Sequence, residues 1–128
     1  MSDTTYVAYG RHVLVDISDA EPSVLNNSKI LENSLVSAAE AEGVTVLGTL
    51  CKDFQPSGVT ILLLLAESHV SLHTYPELGK AFFDAFTCGL DFEPANIFHQ
   101  FAANTLLGSY KITQVQRGDI VPHEGCHA

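Results

Sequence analysis

An apolar run that leads directly into a dense polar stretch constrains this chain more than any other feature. The apolar run, residues 61–65, is followed by residues 66–77, which hold two serines, two histidines, a threonine, a tyrosine and two glutamates. Polar groups beside a core cost free energy unless they are satisfied or used. His69, Ser71 and His73 alternate with Val70, Leu72 and Thr74, which is the period of a β-strand. The stretch therefore predicts a strand that carries chemistry.

Length and composition predict one globular domain spanning residues 1–128. The chain has 46% hydrophobic and 16% charged residues, enough for a single core. Its apolar runs are shorter than the roughly 20 residues that span a bilayer, and its first residues do not resemble a secretion signal. The odd set of cysteines, Cys51, Cys88 and Cys126, shows no framework spacing and is typical of free thiols in a cytoplasmic protein.

The net charge of −9 bears on the class of partner. Nucleic-acid binding is not expected, because the chain has no basic patch to neutralise phosphates. An acidic field instead favours a cationic small molecule, although the same charge also serves solubility alone.

The rest of the chain predicts an α+β two-layer sandwich, an antiparallel sheet with two helices packed on one face. Strands are expected at 11–17, from 43 onward, at 59–66 and at 110–116. The strand at 59–66 is apolar on both faces, so we expect it to be central in the sheet. One helix contains Leu31, Leu35, Ala38 and Ala39, and the other runs from Pro94 to Gly108. Residues 80–88 suit a strand or a helix, and periodicity does not decide between them.

Residues 67–77 read Glu-Ser-His-x-Ser-x-His-Thr-x-Pro-Glu. This motif resembles the self-processing site of the prokaryotic S-adenosylmethionine decarboxylase proenzymes, which convert an internal serine into a pyruvoyl cofactor. The resemblance extends beyond this motif. Matching segments occur in the family's order at residues 10–12, in the loop of Phe54, Pro56 and Gly58, and at residues 86–89, so the resemblance covers most of residues 10–117. It also implies that residues 80–88 form a strand.

The resemblance implies autocatalytic cleavage between Glu67 and Ser68. The products would be fragments 1–67 and 68–128, with a pyruvoyl group generated from Ser68 at the start of the second. Decarboxylation needs an electron sink that side chains do not offer, and a carbonyl that condenses with the substrate amine is one. Strict alternation puts Ser68 on the opposite sheet face from Ser71 and His73. We therefore expect a bend or bulge within residues 67–69.

Three further positions match the family's chemical residues. His73 matches the processing histidine that removes the Cα proton, a task suited to a side chain that exchanges protons near neutral pH. Cys88 matches the catalytic cysteine that returns a proton to the substrate α-carbon. Thr60 stands where the family usually has a serine that assists processing; threonine keeps the hydroxyl but stiffens χ1.

Substrate contacts and a homodimer are also implied by the resemblance. Phe54 matches an aromatic residue that lies against the sulfonium and adenine of S-adenosylmethionine, and Glu77 matches the glutamate that binds the ribose hydroxyls. Tyr75 replaces a tryptophan common in bacterial members. The implied function is the supply of the aminopropyl donor for spermidine synthesis.

Two alternatives remain open on the sequence, and a third, a metal site, is not expected. The substrate could be a basic amino acid, ornithine or arginine, since specificity depends on the weaker positions. The chain could be a non-catalytic homologue that regulates an active subunit, an interpretation that Thr60 supports. A metal site on His69 and His73, or in the tail at His123, Glu124, Cys126 and His127, fits no strong zinc spacing, and none is expected.

Overall fold

The computed structural model describes residues 8–105 and 107–119. Along these residues the strands and helices are β1 (Gly10–Ser18), α1 (Pro22–Leu25), α2 (Ser28–Ala41), β2 (Val46–Asp53), β3 (Val59–Leu65), β4 (Ser68–Tyr75), β5 (Lys80–Cys88), α3 (Pro94–Thr105) and β6 (Ser109–Arg117). A short 3-10 turn, Pro76–Leu78, joins β4 to β5. The predicted α+β sandwich is confirmed, and 80–88 is a strand, as the resemblance implies.

The strands form one antiparallel sheet in the order β2-β3-β4-β5-β1-β6. The first strand of the chain lies between β5 and β6, and pairs with both. Consecutive strands β2 to β5 form a meander. As a result β4 and β5, which carry most of the predicted chemistry, lie at the centre of the sheet.

The helices cover one face of this sheet and bury its apolar side chains. Helix α2 turns Leu31, Leu35, Ala38 and Ala39 inward, and its first turn is capped by the Asn27 side chain, which accepts from the Ile30 N–H at 3.1 Å. Helix α3 contributes Ile97, Phe98 and Phe101 to the same core. Each fully buried residue of this size adds about 1.5–3 kcal/mol of stabilisation relative to exposure.

The opposite face of the sheet, which we call the open face, is uncovered in the single chain. Leu62 and Leu64 on β3 point to it and are 42% and 60% exposed, while Ile61, Leu63 and Leu65 are buried beneath the helices. As predicted, β3 is an inner strand, paired with β2 and β4, but only one of its two apolar rows is buried in the chain. Its second apolar row belongs to a surface that the helices do not cover.

Helix length and hydropathy also bear on membrane insertion. Across residues 8–105 and 107–119, none of the helices has the combination of length and apolar character needed to cross a bilayer.

Candidate active site

The residues singled out from the sequence fall into two groups at opposite ends of β4. We call Glu67, Ser68 and Cys88 the cleavage half-site. We call Thr60 and His73, with the neighbouring side chains of Phe54, Tyr75 and Glu77, the histidine half-site. The two groups share one strand and one sheet, so the geometry of β4 fixes the distance between them.

The cleavage half-site begins at the tight turn between β3 and β4. Leu65 pairs with Ser68, which leaves only Ala66 and Glu67 to reverse the chain. Glu67 has φ +58°, a left-handed conformation that is uncommon for residues other than glycine and asparagine. Such a backbone costs on the order of 1–3 kcal/mol and persists only where the surrounding structure holds it. The strained residue directly precedes the predicted scissile bond.

Ser68 is fixed by the neighbouring strand. Its Oγ accepts a hydrogen bond from the Cys88 backbone N–H at 3.0 Å. This bond joins the first residue of β4 to the last residue of β5, two residues that the sequence separates by twenty positions. The structure thus brings Ser68 and Cys88 together, as the resemblance implies for one working site.

The Cys88 thiol lies in an environment that favours its protonated form. Burial raises the pKa of the Cys88 thiol, and the Glu67 carboxylate, which the thiol hydrogen-bonds, raises this pKa further. The Gly89 backbone N–H acts in the opposite direction, to a smaller extent. A thiol that keeps its proton at working pH is suited to donate one, which is the role predicted for this residue.

The histidine half-site lies at the far end of the same strands. Thr60 on β3 pairs with His73 on β4, and Thr60 Oγ1 lies 3.0 Å from His73 Nδ1. The hydroxyl of the predicted processing residue thus contacts the predicted base directly. Threonine makes this contact although the family usually has serine here, so its extra methyl does not prevent the interaction.

The predicted substrate contacts lie at the same end of the sheet as His73. Tyr75 on β4 is exposed, and its ring lies 5.6 Å from that of Phe82. Glu77 Oε1 accepts from the Ser57 hydroxyl at 3.3 Å, and Phe54 is 48% exposed beside the same loop. The structure therefore places Phe54, Tyr75 and Glu77 with the histidine half-site and at the opposite end of β4 from Ser68.

The separation of the half-sites follows from the regularity of β4. The strand pairs with β3 in one continuous register from Ser68 to His73, and it runs on to Tyr75. The distortion predicted for residues 67–69 lies at Glu67, one residue before the strand, and it does not bring Ser68 and His73 together. A strand rises about 3.3 Å per residue, so His73 is roughly 16 Å along the chain from Ser68. Within one chain, His73 therefore does not contact Ser68.

A polar network at the centre of the open face was not predicted from the sequence. Asp84 Oδ2 lies 2.6 Å from His12 Nε2 and 2.9 Å from His69 Nε2, and the Ser71 hydroxyl donates to Asp84 Oδ1. Burial raises the pKa of the Asp84 carboxyl, but these three hydrogen bonds outweigh it and hold the pKa below its usual value. The available signal was a lone aspartate among the aromatic residues of β5.

Two histidines and a carboxylate also have the composition of a metal site, since their ligand atoms lie within 4.8 Å of one another. The Arg117 guanidinium lies 3.2 Å from His12 Nδ1 and can only donate to it, so His12 carries its proton on Nε2. A metal on Nε2 would force that proton onto Nδ1, against Arg117. The geometry favours a hydrogen-bond network. The tail histidines and Cys126 lie outside the described residues.

Comparisons with known proteins bear on the family and the fold of this chain. The sequence profile of the S-adenosylmethionine decarboxylase family matches residues 11–118. An S-adenosylmethionine decarboxylase proenzyme from Brevibacillus brevis is 47% identical over 89 residues, 70% of this chain and 67% of its own length. A proenzyme of the same name from Thermodesulfovibrio yellowstonii is 31% identical over 94% of this chain and 93% of its own. The crystal structure of adenosylmethionine decarboxylase from Aquifex aeolicus superposes with a TM-score of 0.80 at 26% identity, covering 94% of this chain and 97% of that one.

Proposed function

The chain belongs to the S-adenosylmethionine decarboxylase family, and we propose that it cleaves itself between Glu67 and Ser68 to make the pyruvoyl group with which it decarboxylates S-adenosylmethionine. The enzyme activity rests on relatives that carry this name, among them two at 47% identity. The self-cleavage into fragments 1–67 and 68–128 is supported by one observation above all, the left-handed φ of +58° at the residue that precedes Ser68.

The residues around Ser68 fit a group made from this serine. The pyruvoyl carbonyl would supply the electron sink that decarboxylation requires. The chain contributes a left-handed backbone at Glu67, directly before Ser68, and the Cys88 N–H fixes the serine hydroxyl beside it. Cutting the chain after Glu67 would release the strain held in this backbone, which favours cleavage.

Cys88 and the histidine half-site would perform the proton transfers. The Cys88 thiol lies at the end of β5, beside Ser68, and would return a proton to the substrate α-carbon after carbon dioxide leaves. His73, oriented by the Thr60 hydroxyl, would remove the Cα proton of Ser68 during cleavage. Phe54 would face the sulfonium through its ring, an interaction of about 0.5–2 kcal/mol, and Glu77 would bind the ribose hydroxyls.

A homodimer, with one copy supplying Ser68 and its partner supplying the base, resolves the distance between the half-sites. Within one chain the two ends of β4 are roughly 16 Å apart. If two copies pack their open faces together in opposite directions, the cleavage half-site of each meets the histidine half-site of the other. Each dimer then has two complete sites.

The open face has the character of a surface that a second copy would cover. Leu50, Leu62 and Leu64 are 70%, 42% and 60% exposed and line an apolar depression of about 540 Å³ that reaches His69. A contiguous apolar patch of this kind marks an interaction site more often than free surface. A dimer of this kind would explain why β3 is apolar on both sides although only one side faces the helices.

Release of carbon dioxide from carboxyl-labelled substrates tests the proposed activity. We expect turnover of S-adenosylmethionine and background release from ornithine and arginine. Turnover of ornithine or arginine with none of S-adenosylmethionine would overturn the substrate. The comparisons do not favour the basic amino acid, nor a non-catalytic homologue, since the named relatives are S-adenosylmethionine decarboxylase proenzymes. The cytoplasmic location and the role in spermidine synthesis are proposed with the activity.

A further inference from the structure

Glu67 lies on the N-terminal side of the bond to be cut and also beside Cys88. The pairing of β4 with β5 matches His69 with Phe86 in an antiparallel ladder. Glu67 lies in the turn just before β4, directly before Ser68, at the end of the sheet where β5 ends. Independently, the Cys88 N–H bond to Ser68 Oγ holds the 67–68 peptide against the end of β5. The Glu67 side chain is therefore within reach of Cys88, whose thiol hydrogen-bonds its carboxylate.

We propose that Glu67 is a positioning residue for Cys88, that its side-chain carboxylate keeps the sulfur protonated and aimed into the site, and that self-cleavage strengthens this effect. Only the second half of this proposal, the effect of self-cleavage, rests on the proposed function. The contact between carboxylate and thiol exists in the uncleaved chain.

The negative charge of Glu67 determines how this contact affects the protonation of the Cys88 thiol. A proton donor is useful only while it holds its proton, and a negative charge within a few ångströms opposes the formation of a thiolate. The thiol of Cys88 hydrogen-bonds the Glu67 carboxylate, and this carboxylate and burial act in the same sense on the sulfur. Free cysteines used as nucleophiles lie beside positive groups instead. The environment of Cys88 is that of an acid.

Self-cleavage would add a second negative charge at the same place. The overall change consumes one water and releases ammonia, and it leaves Glu67 as the last residue of fragment 1–67 with an α-carboxylate. The pyruvoyl group on the other side of the cut carries no charge. If the end of fragment 1–67 stays in place, Cys88 is flanked by two carboxylates after the cut and by one before it. The cut that makes the cofactor would also prepare the proton donor.

Other ionisable groups near Cys88 must be held constant in any test. On β1, Gly10 pairs with Cys88, and Arg11 and His12 follow it. Across β1, Arg117 on β6 and Tyr9 line a cavity of about 320 Å³ together with Cys88. Arg117 Nη1 donates to His12 Nδ1, and His12 and His69 both contact Asp84. A substitution confined to Glu67 leaves all of these groups unchanged.

Alkylation of Cys88 as a function of pH tests the first half. Iodoacetamide reacts with the thiolate, and peptide mass spectrometry separates Cys88 from the exposed Cys51 on β2, whose pKa is raised by burial, Glu32 and Asp53. For Glu67→Gln, we expect the midpoint of the Cys88 profile to fall by about one pH unit, while the Cys51 midpoint stays fixed. Glu67→Asp should move the Cys88 midpoint less. An unchanged Cys88 midpoint in Glu67→Gln would overturn the proposal.

The pH profile of Cys88 alkylation can also be measured in protein that does not cleave itself. The pair Ser68→Ala and Ser68→Ala/Glu67→Gln has an intact backbone in both members and isolates the side-chain carboxylate. The comparison of cleaved wild type with Ser68→Ala tests the second half, for which we expect a higher Cys88 midpoint after cleavage. A midpoint that is equal or lower after cleavage would contradict it. These readouts do not need decarboxylation, so an inactive protein with the expected midpoints would refute the proposed function and leave this inference intact.

Activity supplies a further check in cleaved protein. Because Cys88 must be protonated to act, kcat should fall as pH rises through the pKa of its thiol. Removing the Glu67 charge lowers that pKa, so the alkaline limb of the kcat profile of Glu67→Gln should move to lower pH. A merely structural role would lower kcat at every pH and leave the limb in place.

Discussion

The two ends of β4 differ in how the protein holds its reactive groups. At the cleavage half-site the backbone holds them: a strained turn precedes Ser68, and a main-chain N–H binds its hydroxyl. At the histidine half-site the backbone is a regular ladder, and side chains contact one another across it, Thr60 with His73 and Ser57 with Glu77. One end is prepared to break a peptide, and the other to exchange protons and bind a ligand.

The separation of these roles along a single strand gives the proposed dimer a physical purpose. Strain and a proton acceptor on adjacent residues of one chain would expose that peptide to premature reaction. With the acceptor roughly 16 Å away, cleavage would wait for assembly. Substitutions at each end of β4, and in the Asp84 network between them, test whether the two half-sites have separate roles and whether cleavage needs both.

Removing the serine hydroxyl should have the largest effect. Ser68→Ala leaves no oxygen to attack the Glu67 carbonyl, so we expect one uncleaved chain and no decarboxylation, measured by intact mass and carbon dioxide release. Ser71→Ala is the matched control, a serine on the same strand but three residues away from the bond to be cut, and should cleave. Cleavage of Ser68→Ala at the 67–68 bond would exclude this serine as the source of the new end.

Co-expression of two inactive variants tests whether the half-sites meet across a dimer. His73→Ala alone should remain uncleaved, and so should Ser68→Ala. Produced together and differently tagged, they form mixed dimers in which the intact serine of one faces the intact histidine of the other. We expect the His73→Ala chains, and not the Ser68→Ala chains, to be cut. If neither chain is cut in a sample shown to contain mixed dimers, the base does not come from the partner.

Loss of the Thr60 hydroxyl should slow cleavage without preventing it. Thr60→Val keeps the shape and removes the contact to His73 Nδ1, which is worth about 1.4 kcal/mol in the transition state if it orients the base. This corresponds to about tenfold in the cleavage rate, measured by mass after a pulse of synthesis. Thr60→Ser is the control and should cleave at least as fast as wild type. Equal rates in all three would show that the contact does not orient His73.

The smallest expected effect is on stability, through the Asp84 network that lies between the half-sites. Asp84→Asn, made in Ser68→Ala so that the chain stays whole, should lower the free energy of unfolding by about 1–2 kcal/mol at neutral pH. Hydrogen bonds lower the pKa of Asp84 in the folded state, so this stabilisation is present above the pKa of about 3.9 that an aspartate has when unfolded. It is lost as pH falls through the lower folded value.

Urea unfolding at a series of pH values measures this effect. The difference between Ser68→Ala and its Asp84→Asn derivative should shrink as the solution becomes acidic. Asp16→Asn is the control, at an exposed aspartate on β1 that lies outside the Asp84 network. A difference that is constant across the pH range would show that Asp84 stabilises the sheet through packing and not through its charge.

Much of the fold was predictable because local patterns and the sheet agree. Helix α2 is set by its inward leucines and alanines, and β1 by its β-branched alternation. The inner position of β3 was predicted, but the exposure of its second face was not, because a strand whose second apolar row lies on the open face has the same sequence pattern as one buried on both sides. Residues 80–88 needed the resemblance, since alanine and phenylalanine suit both kinds of element.

The sequence predicted which residues belong to the site but not how far apart they lie. The motif identifies Ser68, His73 and Cys88 by their chemistry. The distances between them depend on the strand register, and the regular strand β4 keeps Ser68 and His73 apart. The Asp84 network was missed because its members come from β1, β4 and β5, which adjoin only in the folded sheet. Its one visible sign was a charge in an apolar strand.

Intact mass of the purified, folded protein shows whether the chain has cut itself before Ser68. We expect two fragments, 1–67 and 68–128, the second without a free amino group at its first residue, and we expect an active sample to contain both. A folded and active protein that retains a single 128-residue chain would contradict the account, because decarboxylation would then proceed without any group made from Ser68.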